Sequence, residues 1–407
     1  LSAPHIVVVG NGVAGHNAAL AARERQPEAR VTLIAREPVH FYNRLGLTPF
    51  LAGQLKRESL LSGTSEDYAI RGVEVRLGVT VTALSPDEHT LTTSSNERIA
   101  WDRLVLCAGA EPFVPPVPGL DHPAVRTLRT LDDADWLAER AGDWDCVVIL
   151  GGGLLGLEAA YALRSRGAKR VIVVELSERL LPRQLDQAAA ALLEAKVRDK
   201  GIEVRCRVGL DRVDARPDGG MDAIVGGEAI EANAVLVSVG IRSNLALAQD
   251  AGLETGRGVV VDDAMRTSHP DVFAAGDIAE HRGVVWGLWP LAMMMGSTAG
   301  ANAAGGDETL AELTSATFLK VLGVPVFSAG VAAEPPSDAR QFVLHDEKTG
   351  SYTKLVVRDN HVVGAILMGD ASRMMAVRNA VEQHVATGDI DLDGEASRVI
   401  ELILDGR

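Results

Sequence analysis

The sequence predicts an α/β protein with two doubly wound parallel-sheet modules, interleaved along the chain, followed by a smaller α+β domain. Three observations carry this. A strand, glycine turn, alanine-rich helix and second strand occur in that order twice. A proline cluster breaks the chain between the two copies. Beyond residue 308 the pattern turns strand-rich.

The first copy opens with His5-Ile6-Val7-Val8-Val9, an apolar run short enough to be a buried strand. Gly10-Asn11-Gly12-Val13-Ala14-Gly15 follows, then a helical run through Arg25 and a second strand, Val31-Thr32-Leu33-Ile34. After the strand Leu104-Val105-Leu106 come Pro112, Pro115, Pro116 and Pro118. Proline fixes an extended path and cannot continue a ladder, so this stretch reads as a crossover between domains.

The second copy starts at Cys146-Val147-Val148-Ile149-Leu150, turns at Gly151-Gly152-Gly153-Leu154-Leu155-Gly156 and runs helically through Arg166 to the strand Arg170–Glu175. Each copy is a βαβ unit of the Rossmann-like kind. A further break falls at Gly305-Gly306-Asp307. Beyond it, Asp359-Asn360 separates two strand patterns, Thr353–Val357 and His361–Ile366, as a two-residue hairpin turn would. Helices are expected near Met374–Val385 and at the C-terminus. The expected organisation is a nucleotide-binding module in two parts, 1–111 and 237–307, enclosing a second module at 112–236, with an interface or dimerisation domain at 308–407.

Composition excludes several classes. At 407 residues the chain suits two or three domains. No apolar stretch approaches the ~20 residues that span a bilayer, so no membrane partner is expected. Leu1–His5 lacks the basic and apolar regions of a signal peptide, and a cytoplasmic protein is expected. A net charge of −15 argues against nucleic-acid binding, because phosphate contacts need a basic surface. Cys107, Cys146 and Cys206 form no C-x-x-C pair, and the ten histidines show no metal-ligand spacing, so no metal is expected.

The glycine turns carry the chemistry. In each, the first glycine permits a tight turn, the second lets the backbone approach a pyrophosphate, and the third lets helix and strand pack closely. The helix N-terminus then offers unpaired N–H groups to the phosphate charge. Gly10, Gly12 and Gly15 are the candidates in one module; Gly151, Gly153 and Gly156 are those in the other. An acid near the end of the second strand holds the ribose hydroxyls of the nucleotide. Glu175, 24 residues after Gly151, fits that role and favours NADH over NADPH, since a carboxylate repels a 2′-phosphate. Nearby Arg179 is either a 2′-phosphate ligand or a solvated charge at a helix end. Glu37 is either the ribose acid of the first module, two residues late, or a surface loop residue.

Read with its other segments, the chain resembles the cysteine-free branch of the pyridine nucleotide–disulfide oxidoreductase superfamily. That branch contains FAD-dependent NADH:rubredoxin and ferredoxin reductases and the flavoprotein part of assimilatory nitrite reductases. Leu104–Pro112 is similar to the family's "LVLATG-x-x-P" segment and retains its glycine, Gly109. Val125–Ala134 is similar to a stretch whose arginine, here Arg129, lies near the flavin; otherwise Arg129 is a charge at a helix start. Thr267–Asp277 resembles the second FAD signature, which implies that Gly276 and Asp277 hold the ribityl chain. Phe41–Gly53 resembles a "Y-[ND]-R-x-x-L" segment, in which Arg44 either stabilises charge on reduced flavin or pairs with a carboxylate. Gly287–Gly296 resembles a helix whose tryptophan, Trp289, borders the flavin ring. The run Met293–Met295 reads as core. Thr317–Gly330 resembles the opening of the family's C-terminal domain.

The resemblance implies bound FAD and NADH, with hydride passing from the nicotinamide to the flavin. Glu158, just inside the second helix, either orients the nicotinamide, pairs with a buried cation, or sits there because the helix dipole favours a carboxylate. Three outlets remain open. The electrons pass to a small redox protein or reductase subunit, such as rubredoxin, ferredoxin or a nitrite or nitrate reductase partner. Alternatively, the chain is a hydrogen-peroxide-forming NADH oxidase, or a redox-sensing flavoprotein. A homodimer is compatible with each.

Overall fold

The computed structural model describes residues 3–217, 220–310, 317–346, 349–370, 372–388 and 390–405. Of the Leu1–His5 stretch read above, Leu1 and Ser2 lie outside the described residues. The chain opens with β1 (His5–Val9), α1 (Val13–Arg25), β2 (Arg30–Ala35), α2 (Ser65–Ile70) and β3 (Val73–Leu77). β4 (Arg103–Leu106) and β5 (Ala110–Pro112) come next, then α3 (Leu131–Arg140), β6 (Cys146–Leu150), α4 (Leu154–Arg166) and β7 (Arg170–Glu175). These are followed by α5 (Gln187–Asp199), β8 (Ile202–Cys206), β9 (Ala234–Val237), β10 (Ile241–Ser243), β11 (Val272–Ala274) and α6 (Trp289–Ala303). The C-terminal part holds β12 (Thr317–Val321), β13 (Val324–Gly330), β14 (Arg340–Asp346), β15 (Ser351–Arg358), β16 (His361–Met368), α7 (Met374–Glu382) and α8 (Ala396–Asp405).

The chain forms two compact units. One comprises Leu1–Leu47, Leu55–Pro112 and Gly240–Glu312; the other comprises Thr48–Gln54, Phe113–Val239 and Leu313–Arg407. In the first unit the strand order β11-β4-β1-β2-β3 makes a parallel sheet. Its central strand is apolar at every position from Ile6 to Val9 because both faces are covered. α6 lies on α1 at backbone distance: a Cβ on Gly296 or Gly300 would overlap the carbonyls of Ala14 or Ala18. The glycine pair four residues apart on α6 and the alanine stripe of α1 are what allow that approach. Helical periodicity also divides the methionine run. Met295 is buried at 1% exposure, whereas Met293 and Met294 are about 40% exposed, so only one of the three is core.

The second unit repeats the parallel arrangement as β8-β7-β6-β9, with Val125–Arg126 at the far edge. Its C-terminal part is an antiparallel sheet of order β12-β13-β16-β15-β14. α7 and α8 pack Val377, Val381, Val399 and Ile403 onto one face against Phe327, Phe342 and Leu355. Asp359 and Asn360 both have positive φ, 50° and 58°, as the two-residue hairpin between β15 and β16 requires. Two features were not legible in the sequence: the C-terminal sheet belongs to the same compact unit as the second module, and Thr48–Gln54 joins that unit although it lies within the 1–111 segment.

Candidate functional site

The two glycine turns have the same geometry. Gly10 has φ +109°, and a Cβ there would overlap the Cys107 carbonyl; one on Gly15 would overlap the Gly10 carbonyl. Gly12 differs. Its backbone is extended, and a Cβ built on it meets nothing within 4 Å among the described residues. In the second unit Gly151, at φ +114°, lies against the Ser238 carbonyl and Gly156 against the Gly151 carbonyl, while Gly153 faces open space. First and third glycines are therefore required by packing within the protein, whereas the middle glycine faces a space left for something else.

The helix starts agree. α1 and α4 begin at Gly12 and Gly153 with no side-chain cap, so their first-turn N–H groups remain unpaired by the chain. Three other helices cap themselves: Thr64 with Asp67 at α2, Thr130 with Asp133 at α3, and Asp186 at α5; α6 and α7 also lack a side-chain cap but do not start on a glycine turn. Two uncapped helix starts over two open middle glycines present unpaired N–H groups of the polarity that a dinucleotide pyrophosphate needs.

In the second unit, Glu175 braces the turn. Its Oε2 accepts from the Gly152 N–H and its Oε1 from the Ser177 N–H, each at 2.7 Å. The remaining lone pairs stay able to accept ribose hydroxyls. Arg179 is neither solvated nor directed to a phosphate. Only 11% of its side chain is exposed, and it donates to the Leu185 and Pro182 carbonyls at 3.0 and 3.2 Å, fastening the loop after β7. Glu158 lies on α4 with Thr48 Oγ1 donating to its carboxylate at 3.2 Å. Burial pushes the Glu158 pKa up and outweighs the opposing effect of that hydrogen bond. Thr48 is a partner that sequence reasoning missed, since only the tertiary fold brings it from the 1–111 segment to α4. Arg129 stands in this unit at the start of α3, where its N–H donates to Asp133 at 2.9 Å.

In the first unit, Glu37 follows β2 and is held from two sides. Tyr42 donates its hydroxyl to Oε2 at 2.8 Å, and Arg44 reaches Oε1 at 2.5 Å. Arg44 thus pairs with a carboxylate, and Glu37 is a fixed, mostly buried acid rather than a free loop charge. Gly109 and Gly276, at φ 65° and 80°, end the paired strands β4 and β11, with Asp277 immediately after. Trp289 begins α6 and stacks on Phe41 at 6.1 Å between ring centroids; Phe41 in turn stacks on His16 at 4.1 Å. The structure thus gathers Gly10, Gly12, Gly15, Glu37, Arg44, Gly109, Gly276, Asp277 and Trp289 in one unit. Gly151, Gly153, Gly156, Glu158, Glu175 and Arg129 lie in the other.

Comparison with known proteins decides the family. The pyridine nucleotide-disulphide oxidoreductase model matches residues 4–296, and the rubredoxin NAD+ reductase C-terminal domain matches residues 316–385. The chain belongs to the pyridine nucleotide-disulphide oxidoreductase family. It is 33% identical to a nitrite reductase [NAD(P)H] of Bacillus subtilis, over 90% of this chain and 46% of that protein. It is 28% identical to an NADH-rubredoxin oxidoreductase of Clostridium acetobutylicum, over 93% of this chain and 94% of the relative. The crystal structure of an NADH:rubredoxin oxidoreductase from Clostridium acetobutylicum superposes with a TM-score of 0.82 at 27% identity, covering 96% of this chain and 98% of that one. The chain spans about half the length of the first curated relatives it matches.

FAD and NADH are the cofactors of the pyridine nucleotide-disulphide oxidoreductases, and both cradles fit them. The disulfide chemistry in the family's name has no counterpart in these cysteines. All three are free and separate. Cys107 lies under the first glycine turn, where burial pushes its thiol up to about 12; burial likewise raises Cys146, and Cys206 to about 11. A raised pKa disfavours the thiolate, the form that reacts. Among the described residues no helix is long and apolar enough to cross a membrane.

Proposed function

We propose that this chain is an FAD-dependent NADH oxidoreductase that passes electrons to a partner redox protein or reductase subunit. The observation that carries the reading is the pair of open-glycine cradles, in a chain whose C-terminal part matches the rubredoxin reductase domain. The similarity to an NADH-rubredoxin oxidoreductase over nearly its whole length, and to about half of a nitrite reductase, supports a rubredoxin-like acceptor or a nitrite or nitrate reductase partner.

In this reading Gly10, Gly12 and Gly15 hold the FAD pyrophosphate and Glu37 its ribose, while Gly109, Gly276 and Asp277 bind the ribityl side. Trp289 borders the ring, and Arg44 holds Glu37 in place. Gly151, Gly153, Gly156 and Glu175 hold NADH, and Glu158 orients the nicotinamide. Flavin, when bound, supplies the change from two-electron to one-electron transfer. Three free, mutually separate cysteines favour a direct outlet to a partner over any route through a protein disulfide. The net charge of −15 is against a nucleic-acid partner, and the C-terminal sheet is the surface we assign to homodimer contacts in a cytoplasmic protein.

The test is an anaerobic titration of the purified protein with NADH, followed by air. Stoichiometric bleaching of a flavin band with slow reoxidation supports the reading. Rapid reoxidation to hydrogen peroxide would make the chain an oxidase, and a long-lived reduced flavin that no redox protein reoxidises would make it a sensor. A colourless protein would overturn the reading.

A further inference from the structure

β4 and β11 are neighbours in the parallel sheet of the first unit, paired from Leu104–Val272 to Leu106–Ala274. Past their ends the chain turns through Ala108-Gly109 and Gly276-Asp277, and the ladder can no longer satisfy the carbonyls there. Three of those carbonyls are taken by two adjacent residues. Ser243 Oγ donates to the Asp277 carbonyl at 2.7 Å. Asn244 Nδ2 donates to the Ala108 carbonyl at 2.8 Å, and the Asn244 N–H to the Gly109 carbonyl at 3.0 Å.

The fold explains why these residues are in place. The chain leaves the first unit along β5 and returns along β10, and the two strands pair antiparallel with Ser243 opposite Ala110. The returning strand therefore delivers Ser243-Asn244 to the ends of β4 and β11. Both side chains are half-buried, so water competes only partly for these carbonyls.

We infer that Ser243 and Asn244 are a positioning pair for the flavin: together they fix the Asp277 peptide against the Gly109 turn and so set the ribityl-binding edge of the FAD site. The inference rests on the reading that Gly109 and Asp277 contact FAD. Neither residue touches the cofactor in this scheme; each acts through the backbone it holds.

The experiment compares Ser243→Ala and Asn244→Leu with wild type. FAD is titrated into apoprotein by flavin fluorescence, and the flavin spectrum and midpoint potential are measured on the loaded proteins. NAD+ affinity and apoprotein thermal midpoint serve as controls. Each variant removes one side-chain hydrogen bond and is expected to raise the FAD dissociation constant about fivefold to tenfold. The flavin spectrum and potential shift, while NAD+ affinity stays as in wild type. Ser243→Thr, which keeps the hydroxyl, restores FAD affinity. Variants with unchanged FAD affinity, spectrum and potential would overturn the inference alone. So would a weakened FAD affinity that only tracks a fall in thermal midpoint and in NAD+ affinity. Wild-type protein that takes up no FAD would overturn the cradle reading, and this inference with it.

Discussion

The Lys354 ammonium lies 2.8 Å from the Asp186 carboxylate, with 3% and 16% of the two side chains exposed. Tyr352 donates its hydroxyl to the same oxygen at 2.7 Å, and the other oxygen caps α5 through the Ala189 N–H. Burial alone would raise the Asp186 pKa; the hydrogen bonds from Lys354, Ala189 and Tyr352 outweigh it and hold it low. This cluster fastens the C-terminal sheet to the second module. Lys354→Met leaves the aspartate buried without its cation and is expected to cost about 3 kcal/mol. Adding Asp186→Asn, which keeps the cap and removes the charge, should recover more than half of that loss. Urea denaturation of the single and double variants measures both; additive losses would show that the pair is not coupled.

The open middle glycines separate binding from folding. Gly12→Ala places a Cβ in open space on an extended backbone, so apoprotein stability should change by less than about 0.5 kcal/mol. FAD affinity should fall more than about tenfold, because the methyl occupies the phosphate's approach. Gly15→Ala drives a methyl into the Gly10 carbonyl and should cost about 2 kcal/mol or more of apoprotein stability. Gly153→Ala and Gly156→Ala should divide in the same way for NADH. Calorimetry with cofactor titration distinguishes the two classes.

His16 supplies a pH dependence. Its ring is stacked on Phe41, and its Nδ1 meets the Tyr68 hydroxyl at 2.6 Å. Burial, helped by the charge of Arg71, lowers its pKa to about 4 from 6.5. The unfolded chain therefore binds more protons than the folded one between those values. Stability falls as pH drops from 6.5 toward 4, by roughly 2 kcal/mol once partial solvent access is discounted. His16→Gln cannot titrate, and its denaturation profile should be flatter over that window; identical slopes would remove His16 as the source.

Coenzyme choice should rest on Glu175 and not on Arg179. Glu175→Ala removes the brace on Gly152 and the carboxylate we propose for the ribose, and should narrow the NADH/NADPH preference about tenfold or more. Arg179→Ala should leave the ratio unchanged and lower stability, since its guanidinium is spent on Leu185 and Pro182. Steady-state kcat/KM with both coenzymes, beside a thermal melt, decides the pair.

Local patterns in the sequence determined the two βαβ modules, their glycine turns and the hairpin at Asp359-Asn360. Strand burial, helix period and the φ demands of glycine act over a few residues and leave a readable signature. Glu175, 24 residues after Gly151, stood out as a candidate by the same local spacing, whereas Glu37 lies later after its own turn and stayed open between two readings. The tertiary structure alone decided which side chains occupy them. Thr48 reaching Glu158 and Ser243-Asn244 holding the ends of β4 and β11 join segments as distant as 110 and 136 residues. Such contacts depend on the path the chain takes between modules, and residue type at one position carries no record of which distant carbonyl or carboxylate the fold will bring to it.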